Sequence, residues 1–264
     1  MFKRFNVLII GEIFMEYILV IIFGIIIGSF LNVCIFRILN EESISYPPSH
    51  CSSCKHKLGI LDLVPILSFI FLKGRCRYCH EKISIQYPII EMLNGFLYFL
   101  IFYKYGFTIF TLKYCIFASL LIVIGMIDYK TQYVYTSTTI LGLITAVIFI
   151  VTQYIVSKQN WTIYILGGIV GFSIIGLIVL ITKGMGEGDI EIAAVCGFFL
   201  GAKGILLTLF IAIILGGITG IVIIALKLKN IKDRIAFGPF LAIGAIVSVL
   251  FGTEIINMYL RLYV

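Results

Sequence analysis

Two carboxylates and four thiols carry the chemistry available to this sequence. Asp128 closes an apolar run, "LLIVIGMIDYK", and Asp189 follows another through a glycine-rich turn, "KGMGEGDIE". An ionisable group in mid-membrane costs about 2.5–3.5 kcal/mol on insertion scales, and less towards the interface. Taken singly, each aspartate reads as an interfacial charge or a helix-end residue, and Asp189 as a cap on a helix starting at Ile190. Taken as a pair they point further. Two carboxylates brought close cannot both ionise easily and come to share a proton. One then serves as general base on a water and the other as general acid. That is the chemistry of peptide hydrolysis by an aspartic dyad. Gly184, Gly186 and Gly188 suit it, because glycine accepts positive φ and lets an extended peptide approach the backbone.

The thiols lie in "CSSC" (51–54) and "CRYC" (76–79), a CxxC–x21–CxxC pattern. Cys51, Cys54, Cys76 and Cys79 at this spacing form two knuckles able to supply four ligands to one tetrahedral zinc ion. The flanks repeat weakly, with "KHKLGILDLVP" after the first knuckle and "HEKISIQYP" after the second, as in a zinc ribbon. Such a closed site is structural. Disulfides and CxxC redox chemistry are the alternatives. The expected cytosolic placement disfavours the first, and a thioredoxin-like context for the second is missing. His50, His56 and His80 read as solvated loop residues. Cys34, Cys115 and Cys196 fall in apolar runs and read as small buried hydrophobes.

The elements that must position these groups are membrane helices. The chain has 264 residues, of which 61% are hydrophobic and 12% charged; soluble domains are roughly 45–50% apolar and about 25% charged. Charge-free runs occupy residues 17–36, 114–127, 131–157, 161–182, 192–202, 204–226 and 235–253, and residues 83–103 carry only Glu91. About 20 apolar residues cross the hydrocarbon core. The run 114–127 reaches that length if it starts near Gly106 and includes Lys113. The run 192–202 is short and predicts a shallow or tilted element. The expectation is an all-α polytopic membrane protein of about eight transmembrane helices, with a small zinc-ribbon-like cytosolic insertion after helix 1. Its parts are residues 1–38 (N-terminal segment and first helix), 39–82 (the cysteine domain) and 83–264 (a membrane-embedded catalytic core). Glu12 and Glu16 interrupt the first apolar stretch, and no small-x-small cleavage site precedes them. Residues 1–17 therefore read as an uncleaved lead-in to the first helix.

The net charge of +7 would suit a nucleic-acid partner, but Lys and Arg also collect in the cytoplasmic loops of membrane proteins. Thirteen of the 20 basic residues fall at Arg37 and 55–82, Lys130, Lys183 and 227–234. These predict one cytosolic boundary. Helix parity places Asp128 and Asp189 on that same boundary, with both chain ends outside. The basic surface is read as an orientation signal and a contact for lipid headgroups, not as a nucleic-acid site.

Five motifs in order resemble the type IV prepilin peptidases, within the GxGD intramembrane aspartyl proteases. They are "GSFLNVCIFR" (28–37), the segment from "CSSC" to "YPIIEMLNG" (51–95), "GMIDYK" around Asp128, "GEGD" (186–189) and "FGPFLAIG" (237–244). The resemblance implies cleavage of the short basic leader of type IV prepilin or pseudopilin precursors after a glycine. It implies action at the cytosolic face of the bacterial inner membrane, beside pilus or secretion assembly machinery. It further implies N-methylation of the new N-terminus with S-adenosylmethionine, with Asp128 and Asp189 as the catalytic pair and the four cysteines holding zinc. Gly186 and Gly188 would shape the substrate approach. Glu91, in the matching "YPxxE", would line the substrate path or pair with a basic group such as Arg37. Asn32 and Arg37 also match, and Arg37 reads as snorkelling to the interface.

Three positions depart from the family pattern. "YVYTSTT" stands where a Pro-Asp pair is usual. Glu191 stands where Lys is common, adding a third carboxylate near the dyad. "AFGP" replaces "PFGP". The glycines of 184–188 do not follow a strand and form no dinucleotide fingerprint. Two other readings are a GxGD peptidase without methyltransferase activity and a cation-coupled transporter with both aspartates on its path. Transport sites usually lie near mid-membrane within repeated halves, which this chain does not display.

Overall fold

A computed structural model describes residues 2–182, 185–227 and 235–263. Lys183, Gly184 and the basic residues of 228–234 lie outside the described residues. The described chain is all-helical. α1 spans Phe2–Leu39, α2 Leu67–Phe71, α3 Gln86–Tyr105, α4 Ile109–Thr131, α5 Thr136–Ser157, α6 Thr162–Thr182, α7 Gly188–Ala225 and α8 Gly238–Tyr263, with a short 3-10 turn at Ile60–Asp62. Six are long and apolar enough to cross a membrane: α1 over Phe14–Leu39, α4, α5, α6, α7, and α8 over Gly238–Leu262. α3 has 20 residues, but Gln86, Glu91, Asn94 and Lys104 make it more polar.

The expected sixth and seventh runs are the two limbs of α7. Its 38 residues would measure about 57 Å as one straight helix, far more than the roughly 30 Å of hydrocarbon. The break falls at Gly201, whose φ of 74° and ψ of 175° are non-helical. Glycine takes that conformation without the steric cost of a Cβ. The short run 192–202 is thus the first limb of a broken helix, and it carries Asp189 at its start.

The chain divides into two compact units, Met1–Thr111 and Leu112–Val264. In the first, α1 packs along α3, and the Asn94 side chain donates to the Gly24 carbonyl at 2.6 Å. The cysteine segment joins these two helices. In the second unit, α7 packs against α5, α6 and α8. Gly167 and Gly197 let α6 and α7 touch backbone to backbone, since a Cβ on either would overlap the other's carbonyl. Small residues serve this purpose between membrane helices. Phe117 and Phe199 stack at 4.3 Å in the core of this unit. Ile144, Ile148, Phe172 and Leu177 point outward, as side chains facing lipid do.

Candidate active site

Asp128 sits in the last turn of α4 and Asp189 in the first turn of α7. Both are withdrawn from solvent, at 4% and 5% exposure, and they lie within Coulombic reach of each other. Each is fixed through its Oδ2 by one backbone amide. Asp128 accepts the Gly238 N–H at 2.8 Å. Gly238 opens α8 ahead of Pro239, an arrangement favoured at helix starts, and the positive end of the helix dipole therefore faces the carboxylate. Any larger residue here would have to displace the carboxylate or α8, because a Cβ would lie 2.7 Å from Asp128 Oδ2. Sequence reasoning matched the surrounding "FGPF" motif without giving Gly238 a role. Its signal was a Gly-Pro pair at the start of an apolar run.

Asp189 accepts the Gly186 N–H at 3.1 Å and returns its own N–H to the Gly186 carbonyl at 3.1 Å. The aspartate closes its own turn. Two expectations are corrected here. Asp189 is not a cap on a helix from Ile190, since α7 begins at Gly188 and the carboxylate bonds backwards. Gly186 and Gly188 do not take positive φ; among the described glycines only Gly74, Gly106 and Gly201 do. Gly188 already has the helical backbone of α7. It is small for another reason, since a Cβ would lie 2.5 Å from the Val134 side chain. At Gly186 a Cβ would sit 3.7 Å from Asp189 Oδ2, an ordinary contact.

Glu191 is engaged with α5. Thr139 Oγ1 donates to Glu191 Oε2 at 2.5 Å, tying the start of α7 to the start of α5. Thr139 was not picked out in the sequence, where it is one threonine of three in "TSTT".

The four cysteine sulfurs lie within 4.8 Å of one another, and Cys51 and Cys79 are 3.8 Å apart. Zn–S bonds of about 2.3 Å in a tetrahedron place sulfurs about 3.8 Å apart, so the cluster fits a zinc ion. The repeat seen in the flanks is a repeat of backbone structure. Cys51 N–H bonds the His56 carbonyl and Cys76 N–H the Glu81 carbonyl. Lys55 and His80, each just past its knuckle, both take positive φ. Isolated bridges pair His50 with Lys57 and Arg75 with Lys82. All seven cysteines are free thiols. Burial raises the Cys51 thiol, but hydrogen bonds from the Cys54 and Ser53 amides and from the Cys76 and Cys54 thiols bring it down to about 7. An amide bond from Glu81 lowers Cys79, while burial and the thiols of Cys54, Cys76 and Cys51 push it up to about 12. A cluster sharing protons in this way releases them when a metal binds. His56 instead stacks on Tyr78. Cys34, Cys115 and Cys196 are buried, as expected.

With this geometry in place, comparison with known proteins is decisive. Residues 22–105 match the bacterial Peptidase A24 N-terminal domain and residues 115–221 the type IV leader peptidase family. A prepilin leader peptidase/N-methyltransferase of Bacillus subtilis is 32% identical over 243 residues, covering 91% of this chain and 96% of the relative. The chain belongs to the prepilin leader peptidase/N-methyltransferase family. Relatives of the same description from Neisseria gonorrhoeae (31% identical, 84% of this chain, 86% of the relative) and Legionella pneumophila (30%, 97% and 98%) agree. No solved structure matches it. It is a multi-pass membrane protein of a bacterial family.

The first family domain also contains Glu91, Asn32 and Arg37, and the structure gives each a partner. Glu91 accepts the Ile66 N–H at 2.7 Å and bonds the Ser29 hydroxyl. It does not pair with Arg37. Nor does Arg37 snorkel: it is buried and donates to the carbonyls of Ser43, Ile44 and Pro47. Five-donor guanidinium groups suit such multiple capture. Asn32 donates to the Tyr87 carbonyl at 3.0 Å. These residues knit α1 to α3, to the start of the cysteine segment and, through Ile66, to its middle. They belong to the first unit, and the two aspartates to the second.

Proposed function

We propose that this protein is a membrane aspartyl endopeptidase that removes the leader from type IV prepilin-like precursors after a glycine, and N-methylates the new N-terminus. One observation supports the peptidase above all: Asp128 and Asp189 are both buried, mutually within Coulombic reach and each oriented by a backbone amide. In the reaction the dyad shares one proton. The ionised carboxylate takes a proton from water as its oxygen attacks the scissile carbonyl. The protonated carboxylate donates to the carbonyl oxygen, and proton return to the leaving nitrogen breaks the C–N bond. The roles belong to the pair, not to either residue. The amides of Gly238 and Gly186 occupy one oxygen of each carboxylate and so hold the orientation that attack requires. Gly186 leaves this turn free of side-chain bulk, which supports approach of an extended peptide, while Gly188 packs against Val134.

Cys51, Cys54, Cys76 and Cys79 hold structural zinc, which fastens the insertion between α1 and α3. The distribution of basic residues supports an orientation with this insertion and the aspartates at the cytosolic face of the inner membrane. Pilin or pseudopilin precursors are the substrates, and pilus or secretion machinery the setting. Family membership supports S-adenosylmethionine as the methyl donor, and no residue is assigned to it.

The test is incubation of the purified protein with a panel of prepilin-like substrates, with and without S-adenosylmethionine, followed by mass spectrometry. Cleavage after the leader glycine, and one added methyl group only with the cofactor, are the expected products. Intact substrate across the whole panel would sink the peptidase reading and move an aspartate-lined transporter ahead.

A further inference from the structure

The stretch joining the two cysteine knuckles carries a surface that neither zinc binding nor catalysis uses. Residues 58–72 read "LGILDLVPILSFIFL", with one charge, Asp62. That charge is spent internally. Asp62 accepts the Gly59 N–H at 3.0 Å and pairs with Arg77 at 2.6 Å. The apolar side chains, in contrast, stand outward: Ile60 is 86% exposed, Phe71 79%, Leu61 71% and Ile70 61%. Several large apolar side chains exposed within one short segment point to an interaction site.

Two observations identify what covers it. The first is depth. The backbone of Ile66, between the 3-10 turn and α2, is bound to the Glu91 carboxylate of α3. Glu91 lies level with Gly28 of α1, where a Cβ would come within 2.8 Å of the Glu91 Cα. Gly28 is inside the spanning stretch Phe14–Leu39, eleven residues (39 − 28) short of its end, or about 16 Å along the helix axis. Glu91 itself is only five residues (91 − 86), about 8 Å, into α3, so the middle of the segment is tethered alongside the apolar part of α1 and close to the start of α3. Ile66 takes a φ of 61° to reach this bond, a conformation costly for a β-branched residue. The second observation is charge. Lys55, Lys57, Lys73, Arg75 and Lys82 frame the apolar stretch, against Glu81 alone once the Arg77–Asp62 pair is set aside. An apolar centre with a basic rim complements an anionic lipid leaflet.

We infer that residues 58–72 form an interfacial wedge, its apolar side chains seated at the headgroup–acyl boundary of an anionic leaflet and its basic knuckles among the headgroups. The cysteine domain is then a peripheral membrane element held at a fixed height by the Glu91–Ile66 bond. The inference does not depend on the proposed catalytic activity.

The chain has one tryptophan, Trp161, which makes a depth measurement direct. Phe71→Trp, and separately Ile60→Trp, are placed in a Trp161→Phe background. The full-length protein is reconstituted in nanodiscs of phosphatidylcholine and phosphatidylglycerol, and its zinc content is verified. Expected are a blue-shifted emission, at least twofold quenching by lipid brominated high on the acyl chain, smaller quenching by deep bromine, and little quenching by iodide. Water-like emission quenched by iodide and not by bromolipid overturns the inference. So does a blue-shifted emission indifferent to bromolipid, which would mean a protein cover. Shielding that develops only on adding a prepilin-like peptide also overturns it, in favour of a substrate-docking surface. If Trp161→Phe lowers the yield of folded protein, each reporter is read as the difference from its parent with Trp161 present.

Discussion

The four thiols come from two short knuckles, each closed by hydrogen bonds within six residues, such as Cys51 to His56 and Cys76 to Glu81. The two carboxylates come from different helices, and the amide holding Asp128 is contributed by Gly238, 110 residues further along the chain. Local geometry builds one site, and the packing of a helical bundle builds the other. A lesion in the first should therefore stay near its own segment. A lesion in the second acts through the approach of whole helices, so its size should follow how closely each residue sits to the carboxylates.

The sharpest test exchanges the two lesions. Asp128→Asn or Asp189→Asn should lower cleavage by about 10²–10⁴-fold, the range of general acid–base contributions. Bound zinc should remain at the level of the parent protein. Measuring metal content and leader cleavage on the same preparations checks this. A variant that loses zinc together with activity would show that the carboxylates act on folding instead of chemistry.

Chelation, or Cys51→Ser with Cys76→Ser, is the reverse experiment. Metal affinity and folding are one free energy where the ligands have no other framework. The expected result is loss of the bound zinc and rapid proteolysis within residues 40–85, while the Leu112–Val264 unit stays resistant. Equal proteolysis of both units would break the contrast between a locally and a globally built site.

A smaller effect is expected from two glycines at the aspartate site. Gly238→Ala places a methyl group 2.7 Å from Asp128 Oδ2 and must displace either the carboxylate or α8. A misplacement near 1 Å can cost about 100-fold, and Gly238→Ala should approach that loss. Gly186→Ala meets only a 3.7 Å contact, so cleavage should fall by less than about threefold if alanine keeps its turn. Comparison of kcat/KM for the two variants ranks them. Equal losses would mean that the GxGD glycine serves substrate approach in a way the turn geometry does not reveal.

The same contrast explains what could be read from the sequence. The cysteine cluster was legible because its spacing is a local pattern and the repeated flanks are local structure. The membrane helices were legible from uncharged runs, including the short sixth run that proved to be the first limb of α7. The Asp128–Asp189 pair was reachable through parity and resemblance. Its fixation was not, because neither "GMIDYK" nor "FGPF" says which amide will meet which carboxylate. Gly186 and Gly188 misled in detail. Glycines close together suggest positive φ, yet here one closes a turn on Asp189 and the other clears Val134. Arg37 misled for a similar reason. A basic residue at a helix end usually reaches for water, whereas this one has three backbone carbonyls from the following turn within its grasp.

The finest test concerns Thr139 and Glu191, which stand where the sequence departs from the family pattern. Their hydrogen bond draws the first turn of α7 onto α5 and touches neither aspartate's Oδ2. Thr139→Val keeps the volume and removes the donor, leaving a half-buried carboxylate with one partner fewer. Hydrogen bonds to charged groups contribute about 1.5–3 kcal/mol, so thermal stability should fall measurably while cleavage at low temperature changes by less than about threefold. Glu191→Gln, made alone, retains an acceptor for Thr139 and should keep most of the stability that Thr139→Val loses. If Glu191→Gln instead shifts the pH profile of cleavage, the third carboxylate acts electrostatically on the dyad, and the aspartate site extends one turn further into α7 than its hydrogen bonds alone define.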